Sequence, residues 1–407
     1  MSALASTWEY RFIEPLDVLI LRGNKLFGDP GSYGECLVPP WPSVAAGAIR
    51  TQMLLEDGFD LAEYGRGERE HPTLGTPRNS GSFVLTEFYL ARKGAGEKVE
   101  VLMSPPADLI IGSDKEQVSQ ISPQLLSPKL QFSFPLGQLP ILAQGEERAK
   151  PQGGYWLTQD AYRNYLQGYM PTRDQLVHSS ELWSFESRVG IGLSRYSRSV
   201  ERGKLFTTQA LVMHKRGNNV PKDFSSGDCK ITDYTVGFVA SVGGAAPPKN
   251  GLLRFGGDGR AASLSPVSSA DLANLGESDV YEKITSTRRC RLVLTSPGLF
   301  PGGWKLPVTG KGNFVKLPGK LNAKLVSAAV SRHEIISGWD LASQQPKAAN
   351  RVAPIGSVYW LEDLESESGS LEVALRKLVK DGLWQEPCED AGRRAEGFNR
   401  CAIGVWS

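Results

Sequence analysis

The sequence predicts an α+β fold built from two ferredoxin-like βαββαβ units with long insertions. Three observations predict it. The C-terminal third parses into elements in the order β-α-β-β-α-β; the N-terminal part repeats that order with extra segments; and both halves open on a strand followed by a loop holding Pro, Phe and Gly. Those openings are "EPLDVLILRGNKLFGDPG" and "TSPGLFPGGW".

In the C-terminal unit, "RRCRLVLT" alternates polar and β-forming apolar residues and reads as a strand. "LNAKLVSAAVSR" (Leu321 to Arg332) carries apolar residues at helical spacing and is predicted as the first helix. "EIISGWDL" and "GSVYWLE" read as strands. "LEVALRKLVKDG" is a helix with Ser370 as N-cap and Gly382 as its stop. "CAIGVWS" closes the unit as a strand. Such a sheet is expected to carry two helices on one face and leave the other free.

In the N-terminal unit, "TWEYRFIEPLDVLILR" contains the first strand. "VPPWPSVAAGAIR" leads into the first helix, with its prolines fixing an extended approach, Ser43 as N-cap and Trp41 anchoring the corner. "SFVLTEFYLAR" and "EKVEVLM" form a strand pair around "KGAG", and "TQDAYRNYLQG" is a helix begun by a Thr cap. "LWSFESRVGIG", "LFTTQALVMH" and "TDYTVGFVASVGG" are later strands. The Ser/Asp/Gly-rich stretch from Ser263 to Asp279 marks the boundary, giving units 1–280 and 281–407. Insertions are expected around Ile111 to Gly154 and Val220 to Ala270.

The bulk numbers exclude several classes. The 407 residues are 40% hydrophobic, enough for two cores, and 44 glycines with 26 prolines show no collagen-like period. Five cysteines stand singly, with no CxxC or Cys/His cluster, so neither a disulfide framework nor a zinc site is expected. The N-terminus lacks the basic start and apolar run of a signal peptide, and no apolar stretch is long enough to span a membrane. A soluble, cytoplasmic protein is expected, with no membrane partner.

Net charge is only +2, but the charge is segregated. Ile284 to His333 holds nine Lys/Arg and no acid; Arg188 to Arg216 holds seven against one; Leu361 to Asp390 holds nine acids against three bases. Basic stretches of this kind suit a polyanion, unless opposite patches neutralise each other within the fold. The clearest binding segment is "SRVGIGLSRYSRSVERGKLF", where Arg195, Arg198, Arg202 and Lys204 surround Tyr196. Arginines interleaved with an aromatic suit phosphate contact plus base stacking, and Gly190 and Gly192 would let a partner approach the backbone. The plainer reading is a solvated hairpin. "RFGGDGR" would present Arg254 and Arg260 to phosphate on a glycine-rich turn; its lone Asp argues against a metal site. Gly397 stands in the loop before the last strand, where a nucleic-acid backbone could pass.

Catalytic signals are poor. There is no GxSxG, HExxH or Walker loop. None of the four histidines, His71, His178, His214 and His333, sits in a dense polar cluster, so no poised general base stands out.

Taken together, "PLDVLILRGNKLF" with "PPWPSVAAGAIRT", "RVGIGLSRYSRSVERGKLFTTQ", and "ISGWDLASQQPKAANRVAPIGSVYW" resemble the third-subunit family of the Cmr complex, the type III-B CRISPR effector. The likeness spans nearly the whole chain in the right order. It implies a RAMP-superfamily fold of two RRM-like units. It implies a non-catalytic, cofactor-free subunit that caps the 5′ end of a guide RNA and holds its repeat-derived tag. The implied partners are the large polymerase-palm subunit and the repeating backbone RAMP subunit, with target RNA met through the guide. Arg22 and Lys25 in the first loop, the Arg195/Arg198/Arg202 cluster, and Lys347 with Arg351 are then expected to grip RNA; local carboxylates are the alternative partners of the last two. Arg50 faces either solvent or the RNA path. "EGFNRCAIG" has fewer glycines than the family's C-terminal loop, so Asn399 or Arg400 would share the grip with Gly397. The hairpin after Gly192 would act as a thumb across the guide–target duplex. Two rivals stand beside this reading: a RAMP endoribonuclease that processes precursor guide RNA, and an adaptor that touches only protein.

Overall fold

A computed structural model describes residues 8–21, 23, 33–34, 36–94, 98–112, 118–125, 133–142, 151–194, 196–216, 234–268, 272, 278–309, 312–340 and 342–406. The fold is mixed α/β, with mostly antiparallel sheets and few helices.

The N-terminal half runs β1 (Glu9–Pro15), α1 (Pro42–Glu56), β2 (Val84–Gly94), β3 (Val99–Met103), β4 (Tyr155–Thr158), α2 (Gln159–Gln167), β5 (Leu176–His178), β6 (Trp183–Leu193), β7 (Val200–Met213), β8 (Tyr234–Gly243), β9 (Gly251–Arg254) and β10 (Ala261–Val267). Its large sheet has the path β9-β10-β1-β8-β2-β3-β4-β5. The C-terminal half runs α3 (Ser278–Thr287), β11 (Cys290–Leu294), β12 (Phe314–Leu317), β13 (Leu321–Ala329), β14 (Val358–Ser366), α4 (Leu371–Asp381) and β15 (Cys401–Val405). Its sheet continues from β12 through β13-β14-β11-β15. In each half, four strands taken in chain order lie side by side in the order second, third, first, fourth: β2-β8-β1-β10 and β13-β14-β11-β15.

The structure corrects several sequence expectations. Leu321 to Arg332 is no helix; Leu321–Ala329 is strand β13. Its pairing with β14 is irregular between Leu325 and Ser327. That irregularity shifts the side-chain alternation, so Leu321, Leu325 and Ala328 all reach the same core. Their spacing of four and three residues imitates a helix. Residues 234–268 are not an insertion, because β8 and β10 flank β1 in the centre of the sheet. Helix α2 does begin at the Thr158 cap, where Ala161 N–H donates to Thr158 Oγ1 at 3.2 Å, but it packs against β15 of the other half. Helix α1 is capped two residues earlier than expected: Trp41, not Ser43, is the N-cap residue and Pro42 takes the first helical position. Helix α4 forms as predicted, with Val373 N–H donating to Ser370 Oγ at 3.2 Å and Gly382 ending it at φ 82°.

Among the described residues, neither large sheet has a free face. Alternate strand residues divide between two cores: Ile13, Phe238 and Ala240 join α1 residues in one, and Leu292, Tyr359, Leu361 and Ile403 join α4 residues in another. The opposite faces meet in a shared seam of Phe12, Ala91 and Val239 with Val293, Val358, Trp360 and Ala402, into which α2 inserts Tyr162 and Tyr165. Sheets covered on both faces read as near-continuous apolar runs. The expected open sheet face is therefore absent among the described residues, and it is the other half of the chain that covers it.

A titratable group lies near this seam. Burial pushes the Glu87 carboxyl up from 4.5 to about 7, with the Arg400 guanidinium pulling it partly back. A raised folded-state pKa means that the folded protein holds more protons between these values, so stability falls as pH rises from about 4.5 to 7. Glu87→Gln is expected to remove that slope, read as the urea midpoint at pH 5 against pH 8.

Candidate nucleic-acid interface

The feature that stands off the body is the ribbon β6–β7. The strands pair from Trp183↔Met213 to Leu193↔Val200 with one irregularity between Ile191 and Leu193. Its root is tied down by the backbone bridge Leu19↔Leu211 and by the burial of Trp183, Ala210 and Leu211. Farther out it is exposed on both faces. At the tip, Ser194 N–H donates to Ser199 O at 2.9 Å and Arg198 N–H to Ser194 O at 3.0 Å. Ser194 Oγ accepts from the N–H groups of Tyr196 and Ser197, both at 3.3 Å. This tight turn holds Arg198 at φ 52° and leaves the Tyr196 side chain 100% exposed.

Gly190 and Gly192 have another role than the one expected. A Cβ on Gly190 would stand 2.3 Å from the Phe206 ring, and one on Gly192 would stand 2.7 Å from Lys204. The room above each glycine is taken by a cross-strand side chain, an arrangement that pins register. Lys204 pairs with Glu201.

The other expected residues divide into three groups. Arg22, Lys25 and Arg195 lie outside the described residues, as does the side chain of Arg202 on β7. Arg254 and Arg351 are exposed; Arg351 lines a pocket of about 620 Å³ that Asn399, Trp384 and the Leu299–Gly303 loop also border. The rest are bound into the fold. Arg50 lies over the Phe83 ring at 5.9 Å. Arg260 donates to Asp17 Oδ2 at 2.6 Å, and in the same turn Gly257 N–H is spent on Ile20 O at 2.7 Å. Lys347 pairs with Glu396, which also accepts from Arg393 at 3.0 Å.

The loop before β15 is a correction. Gly397 is buried at φ 88°, and a Cβ there would stand 2.7 Å from Leu85 O. Asn399 is 2% exposed; its Oδ1 accepts from Leu299 N–H at 2.5 Å and its Nδ2 donates to Leu299 O at 3.3 Å. Arg400 donates to Lys380 O at 2.6 Å, and burial lowers its pKa. These three residues join the loop to β2, to the Leu299 loop and to the end of α4, instead of facing RNA. Gly397→Ala is expected to cost about 1–3 kcal/mol through its left-handed backbone, plus the clash with Leu85, read from the urea midpoint.

His71 and His178 have structural partners. His71 is 3% exposed, contacts Asp57 at 2.7 Å through Nε2 and accepts from Leu74 N–H at 3.1 Å through Nδ1. His178 Nδ1 meets Ser180 Oγ at 2.7 Å. No group of three or more metal-ligating side chains occurs among the described residues, and no described helix is long and apolar enough to cross a membrane.

Sequence reasoning missed a second surface: an aromatic, proline-lined cleft of about 710 Å³ at the root of the ribbon, walled by both halves. Its only signal is the scatter of Trp41, Trp156 and Trp183, whose convergence depends on tertiary structure.

Comparison with known proteins decides the family. The profile of the family "CRISPR-associated protein (Cas_Cmr3)" matches residues 11–406. The chain belongs to the Cmr3 family. That is the third-subunit family of the type III-B effector to which the Pro-Pro-x-Pro-Ser and Gly-Trp-Asp motifs pointed. No curated protein matches the Cmr3-family chain. Among solved structures it is similar to a chain of "Type III-B Cmr-beta bound to cognate target RNA and AMPPnP", at 13% identity, 86% coverage of each chain and TM-score 0.42. A second chain, from "Type III-B Cmr-beta bound to cognate target RNA", gives 14% identity, 86% coverage of each chain and TM-score 0.40.

Proposed function

We propose that this Cmr3-family chain is a non-catalytic guide-RNA-binding subunit of a type III-B effector complex in the cytoplasm. It caps the 5′ end of the guide, holds the repeat-derived tag, and meets target RNA only through the guide. Its protein neighbours are the polymerase-palm subunit and the repeating backbone subunit. Its two halves, dividing near residue 280, are ferredoxin-like units of the RAMP kind, each with one helix of the pair replaced. In the first, a β9–β10 hairpin follows β8 where a second helix is expected; in the second, the Thr295–Lys320 segment follows β11 where a first helix is expected. The second-third-first-fourth strand order supports this assignment.

The observation that carries the RNA reading is the ribbon tip, where a fully exposed Tyr196 sits beside Arg198 on a hydrogen-bonded turn. With both sheet faces covered, recognition of RNA passes to protruding elements. The sequence adds Arg195 and Arg202 to the same segment. Phosphate contacts there supply affinity and position, and stacking engages splayed bases.

Filter binding of a guide RNA bearing a 5′ repeat-derived tag tests this. The logarithm of affinity is expected to fall with log salt by about 0.7 per phosphate contact. A flat salt response, unchanged by removing Tyr196 and Arg198, would instead assign the protein to the adaptor class.

A further inference from the structure

We propose that the cleft at the root of the ribbon docks a polypeptide segment of a neighbouring subunit, one carrying a bulky apolar side chain beside a lysine or arginine. The inference rests on the reading of this chain as a subunit of an assembly, not on where RNA binds.

The cleft encloses about 710 Å³, a volume that accommodates a large side chain with its flanking backbone. One wall is Pro40 and Trp41 before α1. Tyr155 and Trp156 of β4 form another, and Pro297 with Ile355 closes it from the C-terminal half. None of the described residues lining it is Lys or Arg, so those walls offer a phosphate backbone no cation. Its one charged lining residue is Glu334, which has no ion-pair partner among the described residues. Burial holds that carboxyl above its usual range. A half-buried carboxylate without a cation is costly, and an incoming ammonium or guanidinium removes the cost.

The apolar surface continues out of the cleft. Phe185 lines the cleft and begins a file with Val189, Ile191 and Leu193 on β6, beside Leu205 and Val200 on β7. All six are exposed, Val189 by 70%. They alternate along β6 with Arg188, Gly190 and Gly192, so Phe206 and Lys204, which lie over the two glycines, occupy the opposite face. The face that bears Phe185 thus carries the ribbon's exposed aliphatic side chains, interrupted by Ser187 opposite Gln209 and by Thr207 opposite Val189, while the other face carries Glu186, Arg188 and Lys204. A two-stranded ribbon is marginal in water by itself, and a file of exposed apolar side chains marks a protein contact. A protein segment laid from the cleft along this face covers both features and leaves the Tyr196 tip for RNA.

The test places p-benzoylphenylalanine at position 185 of the full chain within the purified ribonucleoprotein complex. Irradiation is expected to yield one crosslinked peptide of a neighbouring protein subunit, with a lysine or arginine within two residues of the attached side chain. Glu334→Lys is expected to lower the yield about tenfold, the size of a lost charge-assisted hydrogen bond, and replacing the peptide's cation with Glu is expected to restore it. A crosslink to RNA, which would mark a base-stacking site, overturns the proposal, as does no crosslink at all. The RNA content of the same preparation is measured separately, so RNA recovered alongside a failed crosslink leaves the guide-binding reading standing.

Discussion

Replacing Arg291 with Met is expected to cost about 3–5 kcal/mol of stability, the penalty for removing one partner of a buried ion pair. Arg291 is 3% exposed and Asp108 0%. The guanidinium donates to Asp108 Oδ2 at 3.0 Å, to Tyr165 O at 2.7 Å and to Val405 O at 2.8 Å. Asp108 also accepts from Tyr165 Oη at 2.7 Å and from Gln120 Nε2 at 2.7 Å. This network ties β11 and β15 of one half to α2 and the segment after β3 of the other. Without Arg291, the Asp108 carboxylate is left uncompensated in an apolar seam. The urea midpoint should drop with the slope unchanged. Arg291→Met combined with Asp108→Leu should recover part of the loss, because no orphan charge remains. A single-variant cost below about 1 kcal/mol, the range of exposed pairs, would show that the network does not hold the halves together.

Tyr196→Ala with Arg198→Gly is expected to weaken guide-RNA binding by about 1–3 kcal/mol for the lost base stack, with a further loss for the phosphate contact. The salt slope should become shallower by about 0.7. Glycine is chosen at 198 because the native φ of 52° suits it, so the turn is kept while the charge is removed. The Tyr196 side chain is fully exposed, and its loss leaves the fold intact. An unchanged affinity in a protein with an unchanged urea midpoint would remove the ribbon tip from the interface.

Local signals were legible where local chemistry decides structure. The Thr158 and Ser370 caps and the Gly382 stop located α2 and α4, and the β-rich stretches flanking "SRYSRS" located the ribbon. Errors arose where distant contacts decide. In β13, a bulge and burial on both faces produced helical spacing in a strand. Gly397, Asn399 and Arg400 read as an open loop, but residues about a hundred or more positions away, such as Leu299 and Leu85, close over them. Arg260 was read as presented to phosphate because Asp17, which pairs with it, is remote in sequence; for Lys347 a carboxylate partner was the stated alternative, and the one it meets, Glu396, lies 49 residues on. The cleft at the ribbon root was invisible for the same reason.

The central claim, a subunit that holds the 5′ tag of a guide RNA, is tested most directly by sequencing the RNA that co-purifies with the protein from its native host. The account predicts small RNAs of differing interior sequence that share one repeat-derived 5′ end, and their loss with the Tyr196 and Arg198 variants. Recovery of the protein with its neighbours but without RNA, or with RNAs of scattered 5′ ends, would contradict it.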